Sequence, residues 1–162
     1  MKLNQRLALA LVAVLAVGGF AACKHSGVGV STGGHIVGIE IDAPGSLADS
    51  SETQELKVAI RNSGVNKLGG FGFDVEMPNE LVVLSQTQSP GVTWTERVTS
   101  GGTKLYHYEV NEISVGSRAE VRYHVRTAFG SLDRTGDIKV TAYSDQLPDG
   151  QLVETKFIRL AR

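Results

Sequence analysis

The sequence predicts an all-β protein, an antiparallel two-sheet sandwich of about eight or nine short strands behind an N-terminal signal helix. Three observations predict it. Apolar and polar residues alternate in run after run from residue 35 onward. Turn residues punctuate those runs at short intervals. No segment beyond residue 22 carries a long 3.6-residue period.

The runs come in order along the chain. Val37, Ile39 and Ile41 alternate with Gly38 and Glu40; Leu56, Val58 and Ile60 alternate with Lys57 and Ala59. Phe71, Phe73, Val75 and Met77 alternate with Gly72, Asp74 and Glu76. Val92 and Trp94 flank Thr93, and Tyr106, Tyr108 and Val110 alternate with His107 and Glu109. Ala119, Val121, Tyr123 and Val125 alternate with Glu120, Arg122 and His124; Ile138, Val140 and Ala142 alternate with Lys139 and Thr141. Each run reads as a half-buried strand, because successive side chains on a strand point to opposite faces. Val153–Leu160 is a weaker last strand with Phe157 or Ile158 inward, and Leu81–Leu84 is a further candidate. Pro44-Gly45, Asn62-Ser63-Gly64, Gly69-Gly70, Ser89-Pro90-Gly91, Gly101-Gly102, Val115-Gly116 and Pro148-Asp149-Gly150 supply the turns. Two sheets packed face to face would bury the inward sets.

The N-terminus has a different character. Lys2 and Arg6 precede an apolar run, Leu7–Ala22, which ends on small residues before Cys23. This is the pattern of a secretory signal peptide. The run is 16 residues long, short of the ~20 that span a bilayer as a helix. Cys23 is the chain's single cysteine, so no internal disulfide forms. Phe20-Ala21-Ala22-Cys23 resembles the processing box of bacterial lipoproteins, with Phe20 where leucine is usual. That resemblance implies cleavage before Cys23, acylation of its sulfur and attachment to a membrane. Lys24 follows where an aspartate would favour inner-membrane retention, which points to the outer membrane, periplasmic or surface face, in a Gram-negative cell. The expected organisation is a signal peptide over 1–22, a lipidated cysteine and flexible Gly/Ser-rich tether over 23–34, and a sandwich domain over 35–162.

Charge and motifs narrow the function classes. The chain carries 16 basic and 17 acidic residues, and loss of Lys2 and Arg6 leaves 14 against 17. So balanced a chain has no electrostatic drive toward nucleic acid. No Gly-x-Ser-x-Gly elbow, phosphate loop or dinucleotide fingerprint is present, so the sequence points to no enzyme class and no cofactor. His107 and His124 are equidistant from the Val115-Gly116 turn. Were their strands one hairpin, they would pair directly and could share a metal, with Glu109 nearby; a connection crossing between sheets would part them. Asp145 and Asp149 frame a turn that could bind calcium weakly, although Asp and Gly are also the ordinary residues of such a turn. Among the aromatic residues, alternation sends Trp94, Tyr106, Tyr108 and Tyr123 inward and Tyr143 outward. The stripe Arg122, His124, Arg126 is a solvated sheet face or a partner surface.

The segment Leu56–Trp94 carries the most specific pattern. Gly70-Phe71-Gly72-Phe73-Asp74-Val75 leads into Met77-Pro78-Asn79-Glu80-Leu81-Val82-Val83-Leu84 and then Ser89-Pro90-Gly91-Val92. It resembles the middle of cohesin-like and related immunoglobulin-like modules of bacterial surface proteins. The resemblance extends over roughly His35–Leu160. It implies a non-catalytic module that binds an envelope protein or polysaccharide, or serves as a structural spacer. An envelope enzyme or metal-handling protein using the surface histidines is the alternative. A third reading, a carrier of a small apolar ligand, would need a cavity between the sheets.

Overall fold

The computed structural model describes residues 25–32, 35–48, 52–101, 103–128 and 133–161. The signal segment and Cys23 lie outside the described residues. The rest is a two-sheet β-sandwich, as the alternation requires. Its strands are β1 (His25–Thr32), β2 (His35–Asp42), β3 (Ser46–Ala48), β4 (Gln54–Asn62), β5 (Leu68–Pro78), β6 (Leu81–Gln88), β7 (Val92–Ser100), β8 (Thr103–Ile113), β9 (Arg118–Thr127), β10 (Arg134–Tyr143) and β11 (Gln151–Ala161). One sheet has five strands in the order β1-β2-β4-β9-β6; the other has six in the order β3-β11-β10-β5-β8-β7. Neighbours are antiparallel except β3, which runs parallel to β11.

Two strands exceed the expected number. β3 is a three-residue edge that places Leu47 in the core. β1 corrects the tether expected over 23–34, since His25–Thr32 pairs residue for residue with β2, Thr32 opposite His35. Its glycines read as a linker, yet Val28 and Val30 alternate with Gly27 and Gly29 at strand period, and Gly33-Gly34 is a hairpin signal.

The core is the inward set read from the alternation. Ile39, Leu56, Ile60, Phe73, Met77, Tyr108, Tyr123 and Ile138 are among its fully buried side chains. Of the two residues left open in β11, Ile158 is buried and Phe157 is exposed. Rings tie the sheets together: Phe73 stacks on Tyr108 at 5.0 Å, and Tyr123 from the opposite sheet meets Tyr108 and Tyr106 edge-on at 6.4 and 5.7 Å. Each such pair contributes about 1 kcal/mol beyond the area it buries. The Tyr108 hydroxyl donates to Gln86 Oε1 on β6 at 2.9 Å, a second bond across the sandwich.

Chain crossings between sheets set the topology. After β4 the chain leaves the five-stranded sheet for β5, and after β8 it returns to β9. Both crossings lie at one end of the sandwich and meet at Asn62, which is fully buried. Its side-chain amide donates to Asn66 O (2.8 Å) and Ile113 O (3.0 Å), and its Oδ1 accepts from the Gly64 amide (3.0 Å). Its own backbone exchanges bonds with Ser117 and Gly116. The Asn-Ser-Gly turn signal thus carries a side chain that supplies polar partners to both crossovers.

Replacing Asn62 by alanine strands two carbonyls and one amide in a buried site. The expected cost is about 2–4 kcal/mol, read as a lower urea midpoint with the m-value unchanged. A loss under about 0.5 kcal/mol, the range of ordinary surface changes, would show that water replaces the amide freely.

The buried tyrosines also set an alkaline limit. Burial pushes the phenols of Tyr106, Tyr108 and Tyr123 above their ordinary value. Folded molecules therefore hold protons that unfolded ones release, so stability is full below about pH 10 and falls as pH rises through the phenol range. The melting temperature is expected to drop steeply above about pH 10, less so in Tyr123→Phe. An equal drop in that variant would exclude Tyr123 as a contributor.

Candidate functional site

The two outer faces of the sandwich differ in how their polar groups are satisfied. On the five-stranded sheet, register places Lys57 beside Asp42, and the two pair at 3.5 Å; Arg61 pairs with Glu40 at 3.8 Å. Glu120 lies between Arg118 and Arg122, at 2.9 and 2.6 Å. Ala59, opposite both Glu40 and Glu120, is only 1% exposed, covered by its longer neighbours. Arg122 and Arg126 are exposed on this face; His124 is half-buried, its Nδ1 3.1 Å from Ser85 Oγ. Much of this face is a lattice of opposite charges already in contact with one another.

The outer face of the six-stranded sheet is different. Phe157 is 64% exposed, and Val153, Val98 and Tyr143 are each close to 40%. These residues share one face: Phe157 is opposite Asp137, Val153 opposite Thr141, and Val98 opposite Leu105. Asp74, on β5, is at the centre. It lies opposite His107 of β8 on one side and Thr141 of β10 on the other. Its Oδ1 is 2.5 Å from His107 Nδ1, and its Oδ2 accepts the Tyr143 hydroxyl at 2.7 Å. A carboxylate only accepts, so Nδ1 carries the proton. The neighbouring row holds the Lys139–Glu76 pair at 2.6 Å.

Two glycines of β5 shape this face further. Gly72 is opposite Glu109 on one side and Tyr143 on the other. A Cβ there would come within 3.3 Å of His107 Cε1 and of Tyr108 O, so bare backbone is what lets the imidazole lie over the strand. Gly70 has φ +57°, the left-handed region that glycine enters without a Cβ penalty. A groove of about 630 Å³ opens above them, bordered by His107, Glu109, Asn111 and Tyr143. The Tyr143 phenol is pushed up to about 12, first by burial and then by the hydrogen bond and negative charge of Asp74.

Of the two arrangements open to the histidines, the structure has the one that parts them. His107 is on β8 of the six-stranded sheet and His124 on β9 of the five-stranded sheet, so they occupy opposite outer faces. The connection at Val115-Gly116 is a crossover, not a hairpin turn. Among the described residues no three or more His, Cys, Asp and Glu side chains gather as a metal cluster. Asp145 and Asp149 sit in a turn closed by its own backbone, Leu147 N to Ser144 O and Gly150 N to Leu147 O, with Asp149 at φ 55°. Trp94 was expected inside and is 46% exposed. It lies opposite buried Tyr108 on edge strand β7, which has a neighbour on one side only, and a bulge between Trp94 and Glu96 shifts the register just beyond it. Tyr106, Tyr108 and Tyr123 are inside and Tyr143 is outside, as alternation required.

Sequence reasoning missed Asp74 and the role of the β5 glycines. A signal was present, since glycine inside a strand marks close approach of another group. The Asp74–His107 pairing needed the β5–β8 register, which no local pattern reveals.

Comparison with family models and with curated proteins finds no match. Among solved structures, a cohesin module from a Clostridium perfringens family 33 glycoside hydrolase superposes with a TM-score of 0.52 at 14% identity, covering 84% of this chain and 98% of that one. A non-cellulosomal cohesin from the hyperthermophilic archaeon Archaeoglobus fulgidus gives 0.47 at 16% identity, covering 76% and 91%. AvmM, which catalyses macrocyclization in alchivemycin A biosynthesis, gives 0.48 at 10%, covering 81% and 90%. The fold is a β-sandwich of the cohesin type.

Asp74→Asn removes the charge beside Tyr143 and leaves its burial intact. The Tyr143 titration, followed by NMR of ring-labelled tyrosine, is expected to fall from about 12 part of the way toward 10. An unmoved titration would assign the whole shift to burial.

Proposed function

We propose that this chain is a lipid-anchored, non-catalytic binding module of a bacterial cell envelope, engaging a protein partner through the outer face of its six-stranded sheet. One observation carries the choice of face: Phe157, Val153, Tyr143 and Val98 stay exposed there, whereas the opposite face binds many of its charges to each other. Interface centres are depleted in charge and enriched in aromatic side chains. The stripe Arg122, His124, Arg126 is the competing surface; engagement of Arg122 by Glu120 weighs against it.

The anchor reading rests on the leader over 1–22 and the single Cys23. The likeness to a cohesin module supports a module that works by docking. The start of β1 adds a geometric argument. His25 pairs with Asp42, at the end of the sandwich remote from Asn62 and the glycine groove. An acyl chain on Cys23 would hold that end against the bilayer and turn the groove end outward.

The test is photocrosslinking in cells from an aromatic ketone residue at position 157 or, separately, at position 122, with Cys23→Ser as the anchor control. A discrete adduct from 157 and none from 122 is expected. Cys23→Ser is expected to release the protein from the membrane fraction. An adduct from 122 alone would move the surface to the arginine stripe, and membrane retention of Cys23→Ser would overturn the lipid anchor.

A further inference from the structure

The groove over Gly70 and Gly72 has the chemistry of a socket for a basic side chain. Gly72 is in register with Glu109 on one neighbouring strand and with Tyr143 on the other. Strands lie about 4.8 Å apart, so a carboxylate and an aromatic ring roughly 10 Å apart flank the glycine strip, with the His107 ring lying against it at Gly72. A planar cation placed there would meet a carboxylate at one edge and a ring at the other.

Charge pairing singles out Glu109. Around it Asp74 holds His107 and Tyr143, Glu76 holds Lys139, and Glu112 pairs with Lys67 at 3.2 Å. Glu109 is exposed and borders the groove, and its carboxylate has no hydrogen bond or ion pair among the described residues. Among the described residues neither lysine nor arginine borders the groove. The Asp74 network fixes two groups that border the groove, His107 and Tyr143, so neither needs ordering when a ligand arrives.

We infer that this groove receives a guanidinium side chain from the protein partner, paired to Glu109 and stacked against Tyr143. The inference rests on the docking face proposed above and names the contact at its centre. A guanidinium suits the site better than an ammonium, because it is planar, stacks on rings and makes two parallel bonds to a carboxylate. An anion would meet Glu109. A sugar would find one ring, already held at its hydroxyl by Asp74, where a flat platform would serve it better.

The probe is N-acetyl-arginine methylamide, titrated into the ¹⁵N-labelled full chain at low salt. N-acetyl-citrulline methylamide, its neutral isostere, and a neutral glucose oligosaccharide are the controls. Saturable amide shifts at Gly70, Gly72, Glu109 and Tyr143 are expected with arginine only, with a dissociation constant in the millimolar range, about −4 kcal/mol. Glu109→Gln, an exposed substitution, is expected to weaken binding at least about fivefold, and raised salt to weaken it in wild type. Equal shifts with citrulline, equal affinity in Glu109→Gln, or no shifts at all would overturn the assignment. Preferential shifts with the oligosaccharide would overturn it in favour of a glycan. A crosslink from position 157 that forms equally in Glu109→Gln would remove the socket and leave the docking face standing.

Discussion

The buried amide of Asn62 is the constraint on which the arrangement of the sheets depends. A sandwich must move its chain from one sheet to the other, and every such passage strips backbone groups of their ladder partners. Here two passages, β4 to β5 and β8 to β9, share one polar side chain. With both crossovers tied at the same point, the β5–β8 pair is placed over the β4–β9 pair, and the Phe73–Tyr108–Tyr123 ring cluster forms between them. The same tie sends β8 and β9 to different sheets and so places His107 and His124 on opposite sides of the molecule. Their sequence symmetry about Val115-Gly116 has no spatial counterpart.

The free edges show how the fold limits unwanted pairing. β6 ends the five-stranded sheet and β7 the six-stranded one, and both carry a register shift, at Val83/Ser85 and Trp94/Glu96. A bulge twists an edge and breaks the regular row of donors and acceptors that another chain would need. Leu84 and Trp94, 49% and 46% exposed, sit at these irregular points. Their exposure is a local consequence of edge geometry. Phe157 and Val153 stand on β11, whose pairing with β10 runs without a register shift, so no bulge accounts for their exposure.

The legible part of the structure was the part written in period two. Every inward set from β2 to β10 is buried apart from Trp94, because burial of one face is what selects the register of a strand. Other features depended on information that alternation does not carry. β1 was hidden because glycine is common both to linkers and to strands, and only its pairing with β2 separates the two. Trp94 keeps the parity of buried Val92 and lies opposite buried Tyr108, and its exposure comes from its place on an edge strand, which alternation does not reveal. Of the candidate site, His107 and Tyr143 were visible as outward residues. Asp74, which joins them, was visible only as one more polar residue on an alternating strand.

Parity also explains why the groove falls where it does. Strand β5 is central, and its inward residues Phe71, Phe73, Val75 and Met77 are large and fill the core. Its outward residues begin with two glycines and continue with Asp74 and Glu76. The strand thus spends its volume on one side and leaves its neighbours to cover the other. His107 and Tyr143 lean in from β8 and β10 and are held by Asp74, two residues beyond Gly72. Farther along, Lys139 and Glu76 close the surface by pairing. Between these arrangements and the Asn62 end, the neighbours offer Glu109 and Asn111, neither long enough to roof a glycine floor. The opening is therefore a direct result of asymmetric side-chain volume on a single strand. A side chain at Gly72 would press on both the His107 ring and Tyr108 O, each 3.3 Å from its Cβ, so the same position bears on the network and on the groove.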